Sequence, residues 1–140
     1  MEFPISPLKG VGSIEFGMTP GEVRARIGST PKSFKRTPQA VFPCDYFEAE
    51  GVFCYYDAEG RLEAAEFAPP ASPTLETLNL LGLALNEATA ILSRLDPEIE
   101  REVDGAIAHT LGISIYASLA KDDPSAPVES VIAFRSGYYD

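Results

Sequence analysis

One stretch of the chain, FGMTPGEVRARIG at residues 16–28, constrains the fold more than any other because several local rules agree there. Thr19 is a predicted N-cap whose hydroxyl can accept a hydrogen bond from the backbone N–H of Glu22, while the Glu22 carboxylate can accept one from the N–H of Thr19. Pro20 suits the first helical position, and Gly28 suits the left-handed residue that ends a helix. The stretch therefore predicts one short amphipathic helix. The apolar residues on its buried side are Val23 and Ile27.

Three antiparallel strands are predicted after this helix, at residues 46–49, 51–56 and 62–67, with turns at 50–51 and 57–60. The middle strand is apolar on both faces, because its side chains alternate between Val, Cys and Tyr on one side and Phe and Tyr on the other. We expect one face of the sheet to carry the helix. The other face is then left to meet a partner or the second half of the chain.

The order of elements starts again beyond a proline-rich connector at residues 69–73. A second helix is predicted with Asn86 as N-cap and Asp96-Pro97 as its end. Its apolar stripe comprises Ala88, Ile91, Leu92 and Leu95. Further strands are predicted at residues 99–103, 106–110, 113–116 and 128–134.

This pattern predicts a single α+β domain, residues 1–140, built from two degenerate repeats that each join a helix to an antiparallel meander. The repeats cover about residues 10–68 and 74–140, and both helices are expected to pack on one face of the sheet. Any two α+β segments can look alike to this degree, so the absence of a true repeat is the alternative. Residues 2–9 are expected to form an extended arm, and residues 29–43 a basic edge strand and exposed loop.

The charge is strongly acidic and uneven along the chain. The net charge is −10, and residues 1–44 hold six basic and three acidic side chains, whereas residues 45–140 hold five and 18. This balance disfavours nucleic acid and anionic membranes as partners and favours a basic protein or a cation. No apolar window approaches the length of a membrane span and no signal sequence follows Met1, so we expect a cytoplasmic protein.

The two cysteines predict neither a disulfide nor a metal site. Cys44 and Cys54 form no CxxC pair and no cluster with histidine. A two-residue turn at 50–51 places Phe47, and not Cys44, opposite Cys54. We therefore expect both thiols to be reduced, and no metal or other cofactor is predicted.

No residue pattern identifies a reaction. His109 is the only histidine, and no serine or cysteine has a spacing that requires it as a base. There is also no phosphate-binding loop. The alternative to a binding protein is an enzyme or small-molecule binder with a pocket between helix and sheet, in which His109, Tyr116 and Asp104 take part.

Acidic and aromatic side chains are the candidate binding groups. Acids recur at every second position from residue 96 to residue 104, so in a strand they would all point one way. Such a strand is either a solvated edge protected by charge or a recognition face for a basic partner. Tyrosine and phenylalanine on strands supply rigid contact area of the kind that protein interfaces use. The candidate partner-binding residues are Tyr46, Phe53, Tyr55, Glu98, Glu100, Glu102 and Tyr116.

The first helix also carries a family resemblance. Residues Gly17-Met18-Thr19, Glu22-Val23, Ile27-Gly28 and Pro31 resemble the GMTxxEVxxxI/LGxP signature of small bacterial outer-membrane lipoproteins that assist β-barrel assembly. The fold of that family is similar to one repeat of the β-lactamase inhibitor protein, which joins two such units in tandem. The acidic α+β character also resembles that of bacterial toxin-immunity proteins. The resemblance implies a fold of this tandem type. We expect a non-enzymatic protein-binding module, inhibitor-like or immunity-like, that presents one sheet face and the acidic strand to a protein partner, and a homodimer through the apolar second sheet face is a further possibility.

Overall fold

The first helix forms where the sequence predicts it. In the structure, a computed structural model that describes residues 1–139, α1 spans Pro20–Ile27. The N–H of Thr19 donates to the Glu22 carboxylate (3.1 Å), and the N–H of Glu22 donates to the Thr19 hydroxyl (3.3 Å). Gly28 has φ of 83° and its N–H donates to the carbonyl of Arg24. The predicted capping box and helix end are confirmed.

The second helix begins differently from the prediction. Helix α2 spans Leu85–Leu95, and Ala84 is its N-cap without a side-chain hydrogen bond, so the prediction of Asn86 as N-cap is wrong. The first N–H groups of the helix instead donate to a neighbouring loop, from Leu85 to the carbonyl of Ala126 (2.9 Å). Tertiary contact thus replaces the side-chain cap, which local sequence rules cannot anticipate.

Two sheets contain all the strands of residues 1–139, and they are mostly antiparallel. In chain order the strands are β1 (Glu2–Ser6), β2 (Gly10–Val11), β3 (Ile14–Glu15), β4 (Lys32–Phe34), β5 (Cys44–Phe47), β6 (Val52–Tyr56), β7 (Leu62–Phe67), β8 (Ser72–Leu75), β9 (Leu78–Asn79), β10 (Glu100–Glu102), β11 (Gly105–Ala108), β12 (Ile113–Tyr116) and β13 (Ser130–Phe134). The small sheet has the order β3-β2-β1-β8-β9, and the large sheet has the order β10-β11-β12-β13-β7-β6-β5-β4.

The α+β class is therefore confirmed. Helix α1 is followed by β4–β7 and helix α2 by β10–β13, and each set of four strands is contiguous in the large sheet. The repeat itself and the packing of both helices on one face stay predictions. The N-terminal arm and the end of the connector become regular structure, since β1 pairs in parallel with β8, from Glu2 opposite Ser72 onward.

One hairpin register differs from the prediction. Phe47 pairs with Val52, so the turn has four residues (48–51) and Cys54 lies opposite Asp45 instead of Phe47. Gly51 closes this turn with φ of 75°, and its N–H donates to the carbonyl of Phe47. A β-carbon at Gly51 would lie 2.3 Å from the carbonyl oxygen of Ala68, so the turn also depends on a close approach of the next segment.

A single main core joins the two sheets and the helices. The buried residues Val23 and Ile27 of α1 and Leu92 of α2 belong to the same cluster as the buried residues of the large sheet. The small sheet joins this core where the ring of Phe3 packs on that of Phe67, with 5.0 Å between ring centroids. Removing this apolar surface from water is the main force that holds the layers together.

A fully buried carboxylate ties α1 to one side of the large sheet. Asp45 is inaccessible to solvent and accepts two hydrogen bonds from the Arg24 guanidinium, at 2.7 and 3.0 Å. The hydroxyls of Ser33 (2.6 Å) and Tyr56 (2.9 Å) also donate to it. Burial raises the pKa of Asp45, but the hydrogen bonds from Arg24, Ser33 and Tyr56 outweigh burial and leave the pKa below its ordinary value.

Replacing the buried carboxylate should weaken the fold. Asp45→Ala leaves the Tyr56 hydroxyl and one side of Arg24 without their acceptor, so we expect the free energy of unfolding to fall by about 3 kcal/mol. Urea denaturation followed by circular dichroism measures this change. Glu48→Gln is the matched control, because it removes the acidic partner of Lys32 at an exposed site and should leave the urea midpoint unchanged. Equal midpoints for Asp45→Ala and wild type would contradict the role of the carboxylate.

The lowered pKa of Asp45 should also make the stability of the protein depend on pH under acidic conditions. Because the folded pKa of Asp45 lies below its unfolded value, its contribution is complete above the unfolded pKa of about 3.9 and is lost as the pH falls through the folded pKa. The free energy of unfolding should therefore decline more steeply below about pH 4 in the wild type than in Asp45→Asn. Urea titrations at a series of pH values test this, and parallel curves for the two proteins would contradict it.

Candidate functional site

The register of the large sheet aligns one residue from each of its eight strands in a continuous row. These residues are Glu100, Ile107, Ser114, Ile132, Glu66, Phe53, Tyr46 and Lys32. Their chain neighbours Phe47, Val52 and Phe67 belong to the main core. Since side chains alternate along a strand, the row lies on the opposite side of the sheet. We call this side the outer face and these eight residues the central row.

Six of the seven predicted binding residues lie on the outer face. Tyr46, Phe53 and Glu100 are in the central row. Three more each lie two residues along the strand from a residue of the central row, and so point the same way; they are Tyr55, Tyr116 and Glu102. Glu98 is exposed but precedes β10, so it is outside the sheet. The predicted division of β6 is confirmed, because Val52, Cys54 and Tyr56 belong to the main core while Phe53 and Tyr55 do not.

Aromatic rings form a connected group on the outer face. The rings of Tyr46 and Phe53 are stacked, with 4.1 Å between centroids and an interplanar angle of 14°. Phe34, on the edge strand β4, meets Phe53 edge-on at 6.4 Å and is 44% exposed. The guanidinium of Arg36 lies over the ring of Tyr55, 3.8 Å from its centroid. This end of the outer face is therefore a rigid aromatic surface in contact with solvent.

The C-terminal tyrosines cover another part of the outer face. A second apolar cluster, separate from the main core, comprises the buried residues Cys44, Tyr55, Ala64 and Phe134. Tyr138 stacks on Phe134 at 5.7 Å, and Tyr139 meets it edge-on at 4.9 Å. Tyr116 lies beyond this cover and is 44% exposed. The chain thus closes part of the outer face itself and leaves the remainder accessible.

Glu66 lies in the middle of the central row and was missed by the sequence analysis. The hydroxyl of Tyr55 donates to one of its carboxylate oxygens (2.5 Å), and the hydroxyl of Ser130 donates to the other (2.7 Å). Burial and the hydrogen bond to Glu66 raise the pKa of Tyr55, so its hydroxyl keeps the proton that it donates. The sequence could have indicated Glu66, because side chains alternate along the predicted strand 62–67. This alternation places Glu66 on the face of the sheet away from its buried neighbours Ala65 and Phe67.

The acidic strand is shorter than predicted. Strand β10 spans only Glu100–Glu102, at one edge of the large sheet, and its residues are exposed. Asp96 is buried and accepts hydrogen bonds from the N–H groups of Glu98 and Thr110, so it organises the turn after α2 and does not point outward. The prediction that acids from 96 to 104 share one strand face is wrong, because Asp96 lies before the strand and accepts hydrogen bonds from backbone N–H groups.

The residues of the predicted pocket do not meet. Gly105 pairs with Tyr116 while Ala108 pairs with Ile113, so Asp104 and Tyr116 are at one end of the β11–β12 hairpin and His109 is at the other. Four residues of strand separate the two ends by about 13 Å. His109 instead lies 3.2 Å from the Glu100 carboxylate. A cleft of about 370 Å³ lies between α2 and β10, and its lining does not include His109, Tyr116 or Asp104.

Comparison of the chain with protein-family models, with curated proteins and with solved structures finds no match. Within residues 1–139, no group of three or more His, Cys, Asp or Glu side chains is arranged to hold a metal ion. Nor is any helix in the described part of the chain long and apolar enough to cross a membrane.

The burial of the two cysteines should slow their reaction with thiol reagents, which a labelling experiment can measure. Cys44 and Cys54 are free and buried, and burial raises the pKa of both thiols. We expect a thiol reagent such as dithionitrobenzoate to react about 100-fold or more slowly with the native protein than with the urea-unfolded protein. In urea and without reductant, both thiols of each chain should react with the reagent. Rapid native labelling, or no thiols in urea, would contradict the buried, reduced state.

Proposed function

We propose that the protein is a non-enzymatic protein-binding module, inhibitor-like or immunity-like, and that its binding surface is the outer face of the large sheet. The observation that supports this most is that a sheet face outside the main core carries the partly accessible stacked rings of Tyr46 and Phe53 and, three strands away, the exposed ring of Tyr116. Aromatic side chains on a rigid sheet bury large area at small entropic cost, and they are enriched at the centres of protein interfaces. The resemblance to the lipoprotein and inhibitor families stays a prediction.

The charge of the protein favours a basic partner. The net charge is −10, and the outer face carries Glu66 within its central row and Glu100 and Glu102 at one edge. Complementary charge speeds encounter and rejects partners of the same sign. Reduced cysteines favour a cytoplasmic setting for this interaction.

The order of elements also supports the tandem arrangement. We infer two degenerate repeats because α1 and α2 each precede four strands that are neighbours in the large sheet, and β7 of the first set lies beside β13 of the second. The inhibitor-like reading of the fold depends on this inference.

The competing function is small-molecule binding. The cleft between α2 and β10 supports it, because Thr89 and Arg101 supply polar groups beside the apolar Leu85 and Val103. A pocket of this size suits a small ligand. The original trio of His109, Tyr116 and Asp104 has no part in it.

Capture of a partner from the source cell tests the proposal. Immobilised wild type and the variant Tyr46→Ser/Tyr116→Ser are compared as baits by quantitative mass spectrometry. The control is Leu119→Ser, which removes a 66%-exposed apolar side chain from the 3₁₀ helix outside the sheet. We expect a partner that wild type and control retain and that the double variant loses by about tenfold or more.

Charge reversal gives a second comparison. Glu98→Lys/Glu100→Lys/Glu102→Lys should slow association of that partner and reduce its dependence on salt. No partner for wild type, or equal capture by the double variant, would count against the proposed function. Light scattering of the purified protein shows separately whether the outer face pairs with a second copy.

A further inference from the structure

We propose that Glu66 is the receptor for an arginine side chain of the basic partner. This inference rests on the proposed function and names the chemistry at the centre of the proposed surface. It follows from three observations: the apolar flanks of Glu66, the unused hydrogen-bonding capacity of its oriented carboxylate, and the stacked rings beside it.

The first observation is the position of Glu66 between apolar neighbours. On β6 it is paired with Phe53, and on β13 it is paired with Ile132. Directly opposed residues in antiparallel strands have β-carbons about 5 Å apart, so both neighbours lie beside the carboxylate. Their apolar side chains displace water and strengthen any ion pair that Glu66 makes.

The second observation is the state of the carboxylate itself. Glu66 is half-buried, and each oxygen accepts one hydrogen bond, from Tyr55 or from Ser130. A carboxylate has about four acceptor positions, so about two remain for an incoming donor. Both existing donors are neutral hydroxyls, which fix the orientation of the carboxylate without cancelling its charge.

Glu66 also differs from Asp45 and Glu63, the other partly or fully buried acids on strands of this sheet, and from Asp57 in the turn after β6. Asp45 pairs with Arg24, and both Asp57 and Glu63 pair with Arg135. None of the ion pairs among residues 1–139 includes Glu66. The centre of the outer face therefore holds a partly buried carboxylate that makes no ion pair within the described part of the chain.

The third observation favours arginine over lysine. Phe53 lies next to Glu66 in the central row, and Tyr46 stacks on Phe53 from the far side, so the ring of Phe53 offers a flat surface for a planar cation beside the carboxylate. A guanidinium can stack on such rings and donate two hydrogen bonds to one carboxylate, whereas an ammonium is a strongly hydrated point charge. The chain already makes such a contact on the same face, between Arg36 and the ring of Tyr55.

A titration with small peptides tests the site directly. The probe is acetyl-Gly-Arg-Gly-amide, followed by ¹H–¹⁵N correlation spectra of the ¹⁵N-labelled full chain. The matched probe replaces arginine with citrulline, which keeps the shape and removes the charge. We expect saturable shifts at Phe53, Glu66 and Ile132 with Kd of about 10 mM or tighter, and binding of the citrulline peptide weaker by about tenfold or more.

Three variants separate the carboxylate from the rings and from general charge. Glu66→Gln should weaken binding of the arginine peptide by about tenfold or more, and Phe53→Leu should weaken it while leaving the carboxylate in place. Glu87→Gln, at an exposed position in the first turn of α2, removes one acidic charge elsewhere and should bind like wild type. The same spectra show whether each variant is folded.

Shifts that are absent from the central row, or that are equal for the arginine and citrulline peptides, would overturn the inference. So would unchanged binding by a folded Glu66→Gln variant. These results would leave the proposed function standing if Tyr46→Ser/Tyr116→Ser still lost its captured partner. Conversely, arginine binding at Glu66 together with equal capture by that double variant would support the site and refute the proposed function.

Discussion

The buried charge of Asp45 is the interaction on which the arrangement of the large sheet most depends. An ionised carboxylate without access to water is tolerated only when its oxygens are fully hydrogen bonded. Arg24, Ser33 and Tyr56 meet this condition only if α1, β4, β5 and β6 are all in place. The network therefore couples the capped helix to an edge of the sheet, where apolar packing alone is sparse because the residues of β4 are exposed.

The same network helps to define the outer face. Asp45 points into the protein, so its neighbour Tyr46 must point out, where it stacks on Phe53. A shift of one residue in β5 would place Tyr46 inside and a carboxylate outside, which loses both the buried hydrogen bonds and the aromatic stack. The proposed binding surface and the buried ion pair are thus two consequences of one strand register.

Local rules predicted elements well and contacts between elements poorly. The capping box at Thr19, strand 62–67 and the alternation of β6 follow from neighbours in the chain, and all three are present. The predictions failed for the N-cap of α2, for the register of the hairpin at Gly51 and for the position of Asp96. Each of these features involves a contact with a segment farther along the chain. The sequence could predict that most candidate residues on a strand share one face, because side chains alternate along a strand.

By itself the sequence determined the α+β class, the first helix, most strands and the aromatic and acidic character of the candidate surface. These properties depend on side-chain periodicity and local hydrogen bonding, which act over a few residues. The tertiary structure alone decided which strands far apart in the chain become neighbours, such as β7 and β13 or β1 and β8, and which charges are neutralised. Asp45 meets Arg24 across 21 residues of chain, and Ser130 meets Glu66 across 64. Such pairings arise only when the sheet closes, because the energy of an ion pair or hydrogen bond depends on distances that sequence separation does not fix.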